Sequence, residues 1–180
     1  GLIGAGIDVQ VFERDALRTE GLHGYRVGID PDGSRALRAL LPRDLYDTFV
    51  ATQARAPRWF NMLTEQLHEV LAIELPVETD PVESEKSISR MTLRQVLMTG
   101  LENVITFGKE FTSFEQHADG TVTARFADGS SATGDLLVGA DGVGSRVRKQ
   151  YLPRARQEDT GIIAIAGKLL EFVAYRPYEL

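Results

Sequence analysis

The sequence predicts an α/β protein whose parallel sheet holds a nucleotide and carries an inserted β-meander. Three observations lead there. Residues Ile7–Phe12 alternate, place β-branched side chains on one face and end in Glu13-Arg14-Asp15, as does a strand with acids at its carboxyl end. Phe111–Gln116, Thr121–Phe126 and Ser130–Thr133 are short β-patterned runs separated by Asp119-Gly120 and Asp128-Gly129, dipeptides suited to hairpin turns with positive φ. Finally, Gly134–Arg148 passes from the apolar run Leu136-Leu137-Val138 through a small-residue turn centred on Asp141 to Ser145, a helix N-cap. Strand, glycine turn, acid and helix start, in that order, form the place where an α/β sheet holds a phosphorylated cofactor.

The remaining elements follow in chain order. Leu2–Ala5 reads as a helix end closed by Gly6. Pro31-Asp32-Gly33-Ser34 reads as a turn and cap, after which Leu37, Leu40 and Leu41 recur at helical spacing. Pro42 opens a second helix with Leu45, Phe49 and Val50 on its apolar positions. Trp59–Leu75 reads as two strands, with a helix over Met62–Leu71 as the alternative. Trp59, Phe60 and Met62 either line an aromatic pocket or fill core. Pro76–Lys86 is an acidic, turn-rich connection, and Ser89 caps an amphipathic helix carrying Arg90 in its first turn and Leu93, Val96, Leu97 and Leu101 on its apolar face. Leu136–Val138 is then expected as a buried parallel strand, and Ile162–Ala166 as one more strand.

Bulk properties narrow the function. The chain has 180 residues, 43% hydrophobic and 26% charged, the balance of an ordinary globular protein. A net charge of −6 leaves no basic surplus to meet a phosphate backbone, so nucleic acid is not an expected partner. With no cysteine, disulfides, thiolate metal sites and a cysteine nucleophile are excluded. His23, His68 and His117 lie far apart without ligand spacing, so no metal site is expected. No apolar run is long enough to span a bilayer and no secretory signal is visible, which makes a cytoplasmic location the expectation.

Five residues are candidates for holding a cofactor. Glu13 ends a strand, where an acid can accept bonds from both ribose hydroxyls of a dinucleotide; Arg14 follows it. Such an acid normally follows a glycine-rich phosphate loop by about 20 residues. Gly1-Leu2-Ile3-Gly4-Ala5-Gly6 stands too close to be that loop, so the loop and its strand are expected to precede this sequence. Arg90 sits at a helix start, where a guanidinium beside exposed N–H groups can pair with a diphosphate; Arg94, a turn later, is a weaker candidate. Asp141 and Gly142 can let a ligand reach the backbone and orient water, ribose or an arginine. Each has a plainer reading: a solvated acid, a surface arginine, an Asp-Gly turn. No residue qualifies as an acid or base acting on substrate, so none is assigned as catalytic.

Three segments together resemble the flavin-dependent aromatic hydroxylases, the single-component FAD monooxygenases similar to para-hydroxybenzoate hydroxylase. Ala5–Arg14 resembles the family's second strand with its ribose-binding Glu, Ile88–Leu93 its R-x-x-L helix start, and Val138–Arg148 its DG motif. The resemblance implies a Rossmann-like FAD/NAD(P)-binding fold of the glutathione-reductase type with an inserted meander, incomplete at both ends. It also implies the division of residues 1–180: Rossmann-like parts at 1–50 and 87–152, a meander over 103–134, and substrate-domain strands at 57–76 and 160–180. The implied cofactors are FAD and NAD(P)H, with O2 delivering one oxygen atom to an aromatic or polyketide-like molecule. Glu13 would take the adenosine ribose, Arg90 the FAD diphosphate, and Asp141 the cofactor and the approaching nicotinamide. Gly144 stands where the family usually has a charged residue, and beyond about Lys168 the likeness fades. The alternatives are a non-catalytic remnant of such an enzyme, or a related flavoprotein such as a halogenase, an epoxidase or an NAD(P)-dependent oxidoreductase.

Overall fold

The computed structural model describes residues 1–20, 26–54 and 58–162. By internal packing the chain divides into two compact units, residues 1–111 with 125–130, and residues 112–124 with 131–180. The expected strand Ile162–Ala166 and most of 160–180 lie outside the described residues.

The first unit opens with a single 3-10 turn, Ile3–Ala5, closed by Gly6 in the left-handed region at φ 77°. Next comes strand β1, Val11–Phe12, and β2, Arg26–Ile29. Helix α1, Pro31–Leu40, follows with Asp30 as its N-cap, the carboxylate accepting from Gly33 N at 2.7 Å. Pro31–Ser34 is thus the first helical turn rather than a turn and cap before the helix; Pro31 has its φ pre-set for the opening position. Helix α2, Arg43–Ala51, starts after Pro42. Trp59–Leu75 resolves into an antiparallel hairpin of β3, Trp59–Leu63, and β4, Glu69–Glu74, in which Phe60 faces Ile73 and Met62 faces Leu71. Every residue of both strands is exposed, so Trp59, Phe60 and Met62 fill no core here. Strand β5, Lys86–Ser89, pairs antiparallel with β2 and runs directly into helix α3, Arg90–Met98.

The core of this unit is Tyr46 and Phe49 from α2, Ile88 from β5 and Val96 from α3, with Val27, Ile29, Leu37 and Leu93 packed around it. Phe49 and Ile88 are fully buried. So is Lys86, whose Nζ donates to Ser34 Oγ at 2.9 Å and to the Ser84 carbonyl at 2.8 Å. Ser34 Oγ in turn lies 3.2 Å from Tyr46 Oη, so one polar chain links α1, α2 and β5 inside the apolar core. Burial holds the Lys86 amine below its ordinary value, against the opposing pull of Asp80 and Glu83.

Strand β6, Ile105–Thr106, pairs in parallel with β1, Val11 beside Ile105 and Phe12 beside Thr106. This two-residue ladder is all that forms of the strand expected over Ile7–Phe12. Ile7 is half exposed, and residues 7–10 have no ladder partner among the described residues, which a strand needs to satisfy its backbone. Arg18 clamps the end of α3, donating to the Gln95 carbonyl at 3.0 Å and to Thr99 Oγ1 at 3.2 Å.

The meander appears as expected: β7, Phe111–Gln116; β8, Val122–Phe126; β9, Ser131–Gly134, in that sheet order. Gly120 and Gly129 take φ of 90° and 83° at its two turns, a region other residues enter only at a cost. In the second unit His117 Nε2 meets Thr123 Oγ1 at 2.7 Å, and Thr123 Oγ1 meets Thr133 Oγ1 at the same distance. Helix α4, Arg146–Tyr151, is anchored to β7 by Gln150, which accepts from Phe114 N at 3.0 Å and donates to its carbonyl at 2.6 Å.

Leu136–Val138 corrects the expectation of a buried parallel strand. These residues form no ladder, and Leu136 and Val138 are 80% and 70% exposed. An apolar run becomes a strand only when neighbours accept its backbone bonds and cover its faces, and no described segment does either.

Candidate cofactor site

Glu13 follows directly on β1, its N–H donating to the Thr106 carbonyl at 2.9 Å, so the parallel pair fixes where its side chain begins. The carboxylate Oε1 accepts from Asp15 N at 3.0 Å, a tight local loop that aligns the acids of Glu13-Arg14-Asp15. Between these two carboxylates lies Arg94 of α3, with Nη1 3.0 Å from Asp15 Oδ2 and Nη2 3.6 Å from Glu13 Oε2. The three side chains are 28%, 17% and 20% exposed for Glu13, Asp15 and Arg94. Among the described residues, Arg94 Nε and Nη2 are buried and have no hydrogen-bond acceptor. A buried donor left unmet costs about 1–3 kcal/mol, so this corner of the fold is under-filled with acceptors.

Arg90 is the first residue of α3 and is exposed, as is Arg14. Among the described residues neither makes an ion pair, and Ser89 caps the helix by position without a side-chain bond. An unspent cation beside first-turn N–H groups suits a diphosphate. The acid expected to bind ribose is therefore held by Arg94, not by Arg14 or Arg90. Arg94 and Asp15 are the residues that sequence reasoning underrated. The pairing joins positions 79 apart, and its one advance signal was a second arginine a helical turn after Arg90.

Asp141 and Gly142 belong to the second unit. Asp141 Oδ2 accepts from Arg146 N at 2.7 Å and Val147 N at 3.2 Å, the opening N–H groups of α4. Ser145 Oγ accepts from Arg148 N at 2.9 Å, which makes Ser145 the N-cap the sequence indicated. Desolvation pushes the Asp141 carboxyl up, but hydrogen bonds from the Ser145 side chain and from the Val147 and Arg146 amides outweigh it and hold the group below its ordinary value. Gly139 explains the small residues: a Cβ there would sit 2.8 Å from Val147 Cβ, so the chain crosses α4 closely only because it has no side chain. Gly142 needs its φ of 75° and has open space around it, which leaves its backbone reachable. Arg148 is spent on the Val143 carbonyl.

The first unit suits an FAD on its own evidence. Glu13 keeps accepting capacity beyond its bond to Asp15 N, and the unmet donors of Arg94 sit next to it. Asp141 suits it less directly, since its carboxylate already serves the loop and helix it belongs to.

A strand-end acid held beside an arginine-led helix, and a glycine–acid loop closing on a capped helix, define a dinucleotide-binding α/β protein. The chain belongs to the FAD binding domain family, whose model matches residues 2–171. It is 36% identical over 181 residues to the dual O-methyltransferase/FAD-dependent monooxygenase CTB3 of Cercospora nicotianae, covering 96% of this chain and 21% of that protein. It is 29% identical to the chloroplastic zeaxanthin epoxidase of Arabidopsis thaliana, over 96% of this chain and 28% of the relative. Among solved structures, Klebsiella pneumoniae HpxO complexed with FAD and uric acid aligns with a TM-score of 0.65 at 26% identity, over 83% of this chain and 36% of the other. The FAD/NAD(P)-binding α/β fold with an inserted meander is thus the fold of this chain. The chain spans between a fifth and two fifths of the length of these relatives.

Proposed function

We propose that this chain is the FAD-holding part of a monooxygenase that uses NAD(P)H and O2 to hydroxylate an aromatic or polyketide-like small molecule. The family match across residues 2–171, with Glu13, Arg90 and Asp141 in order along it, carries this reading. Glu13 takes the adenosine ribose hydroxyls as a two-oxygen acceptor, and Arg14 flanks it on the exposed side. Arg90 meets the diphosphate with a full positive charge at a helix start. Asp141 holds the loop on which Gly142 offers its backbone to cofactor and nicotinamide. FAD, when bound, supplies the redox chemistry, and the protein supplies binding, orientation and exclusion of water. The division into Rossmann-like parts at 1–50 and 87–152 and substrate-domain strands at 57–76 belongs to the same proposal, with a cytoplasmic location. Epoxidation is the second reading, supported by the match to zeaxanthin epoxidase.

The test is an FAD titration of the purified protein followed by flavin fluorescence, then NAD(P)H oxidation with and without candidate aromatic substrates. E13Q and R90M each weaken FAD about tenfold, the scale of one charge-assisted contact. A protein that takes up no FAD, or binds it equally well in both variants, overturns the reading.

A further inference from the structure

We propose that Arg94 is a positioning residue for Glu13: it holds the ribose-binding carboxylate in place by standing between it and Asp15. The inference rests on the FAD reading above and adds a residue to that site. Glu13 and Asp15 lie two positions apart on one loop, both largely buried, and two like charges so placed repel each other. Arg94 offsets that repulsion from α3, hydrogen-bonding Asp15 at 3.0 Å and facing Glu13 Oε2 at 3.6 Å. The two contacts differ in kind. The first is a hydrogen-bonded ion pair, while the second is too long for one and leaves Nη2 without an acceptor. Asp15 is thus the fixed anchor of the guanidinium; Glu13 Oε1 is tied to Asp15 N, and its Oε2 faces Arg94 through charge without a hydrogen bond. A carboxylate restrained in that way keeps lone pairs for ribose hydroxyls, which a bidentate arginine would consume.

If Arg94 works through Glu13, its effect disappears when Glu13 can no longer act. FAD titrations of the full chain in wild type, R94M, R94K, E13Q and the double variant R94M/E13Q read this as a double-mutant cycle. R94M weakens FAD about tenfold in the wild-type background and less than about twofold in the E13Q background, a coupling of the size expected for residues in one network. R94K keeps the charge but not the planar fork, and recovers part of the loss. Equal weakening in both backgrounds, or none in either, overturns the proposal and leaves the FAD reading standing. Wild type without FAD affinity overturns the reading and the proposal together. Should R94M lose its cooperative melt, R94K against R94K/E13Q provides the same comparison. A loss in R94K that persists undiminished in E13Q overturns the proposal.

Discussion

Desolvation alone would make the Asp141 carboxyl easier to protonate, yet the loop around it reverses the sign. Two backbone N–H groups and the Ser145 side chain bond the charged form, so Asp141 contributes most to the fold when ionised. D141A removes a cap of α4 and destabilises its unit by about 1 kcal/mol at neutral pH, less than a sole cap would because Ser145 remains. The folded carboxyl titrates below its ordinary 3.8, so its contribution is complete above that value and is lost as pH falls through the lower folded one. Denaturant melts of D141A and wild type differ at pH 7, and the difference shrinks progressively as pH falls below 3.8. The same residue shows what a motif can hide. A glycine-flanked acid reads in sequence as a ligand contact, and the structure adds a second occupation, holding the helix start, that any ligand has to share.

Of the described glycines, Gly139 in the loop before α4 leaves the least room for a side chain. A methyl group at Gly139 meets Val147 Cβ at 2.8 Å, so G139A forces loop and helix apart and costs about 1–3 kcal/mol. V147A removes Cγ1 and Cγ2, which a Cβ at Gly139 would meet at 2.9 and 3.2 Å, but keeps the Cβ at 2.8 Å, so G139A in the V147A background costs less than in wild type without becoming neutral, read from thermal melts. Legibility in the sequence follows the reach of the physics. Asp119-Gly120, Asp128-Gly129 and Ser145 were read correctly because a positive φ or a cap is decided within four residues. Helix α1 was found, but Pro31–Ser34 was read as a turn and cap before it, whereas these residues are its first turn and Asp30 is the cap. Leu136–Val138 was misread because pairing is decided by distant neighbours, which a run of apolar residues cannot announce. For the same reason Glu13 was legible as a strand-end acid, while its restraint by Arg94 was not.

At the scale of the molecule the chain is two packed units, each with its own share of the candidate residues. The first carries Glu13, Arg14 and Arg90, and the second carries Asp141 and Gly142. Among the described residues no helix is long and apolar enough to cross a membrane. The interior of the first unit has one further use. Lys86 has no exposed surface and its amine is enclosed by Ser34 and Ser84, whereas Lys149 stands at the surface. An amine-modifying reagent therefore meets Lys149 at once and reaches Lys86 only when β5 parts from α1. The ratio of the two labelling rates, read peptide by peptide, makes Lys86 a built-in clock for how often the core of that unit opens.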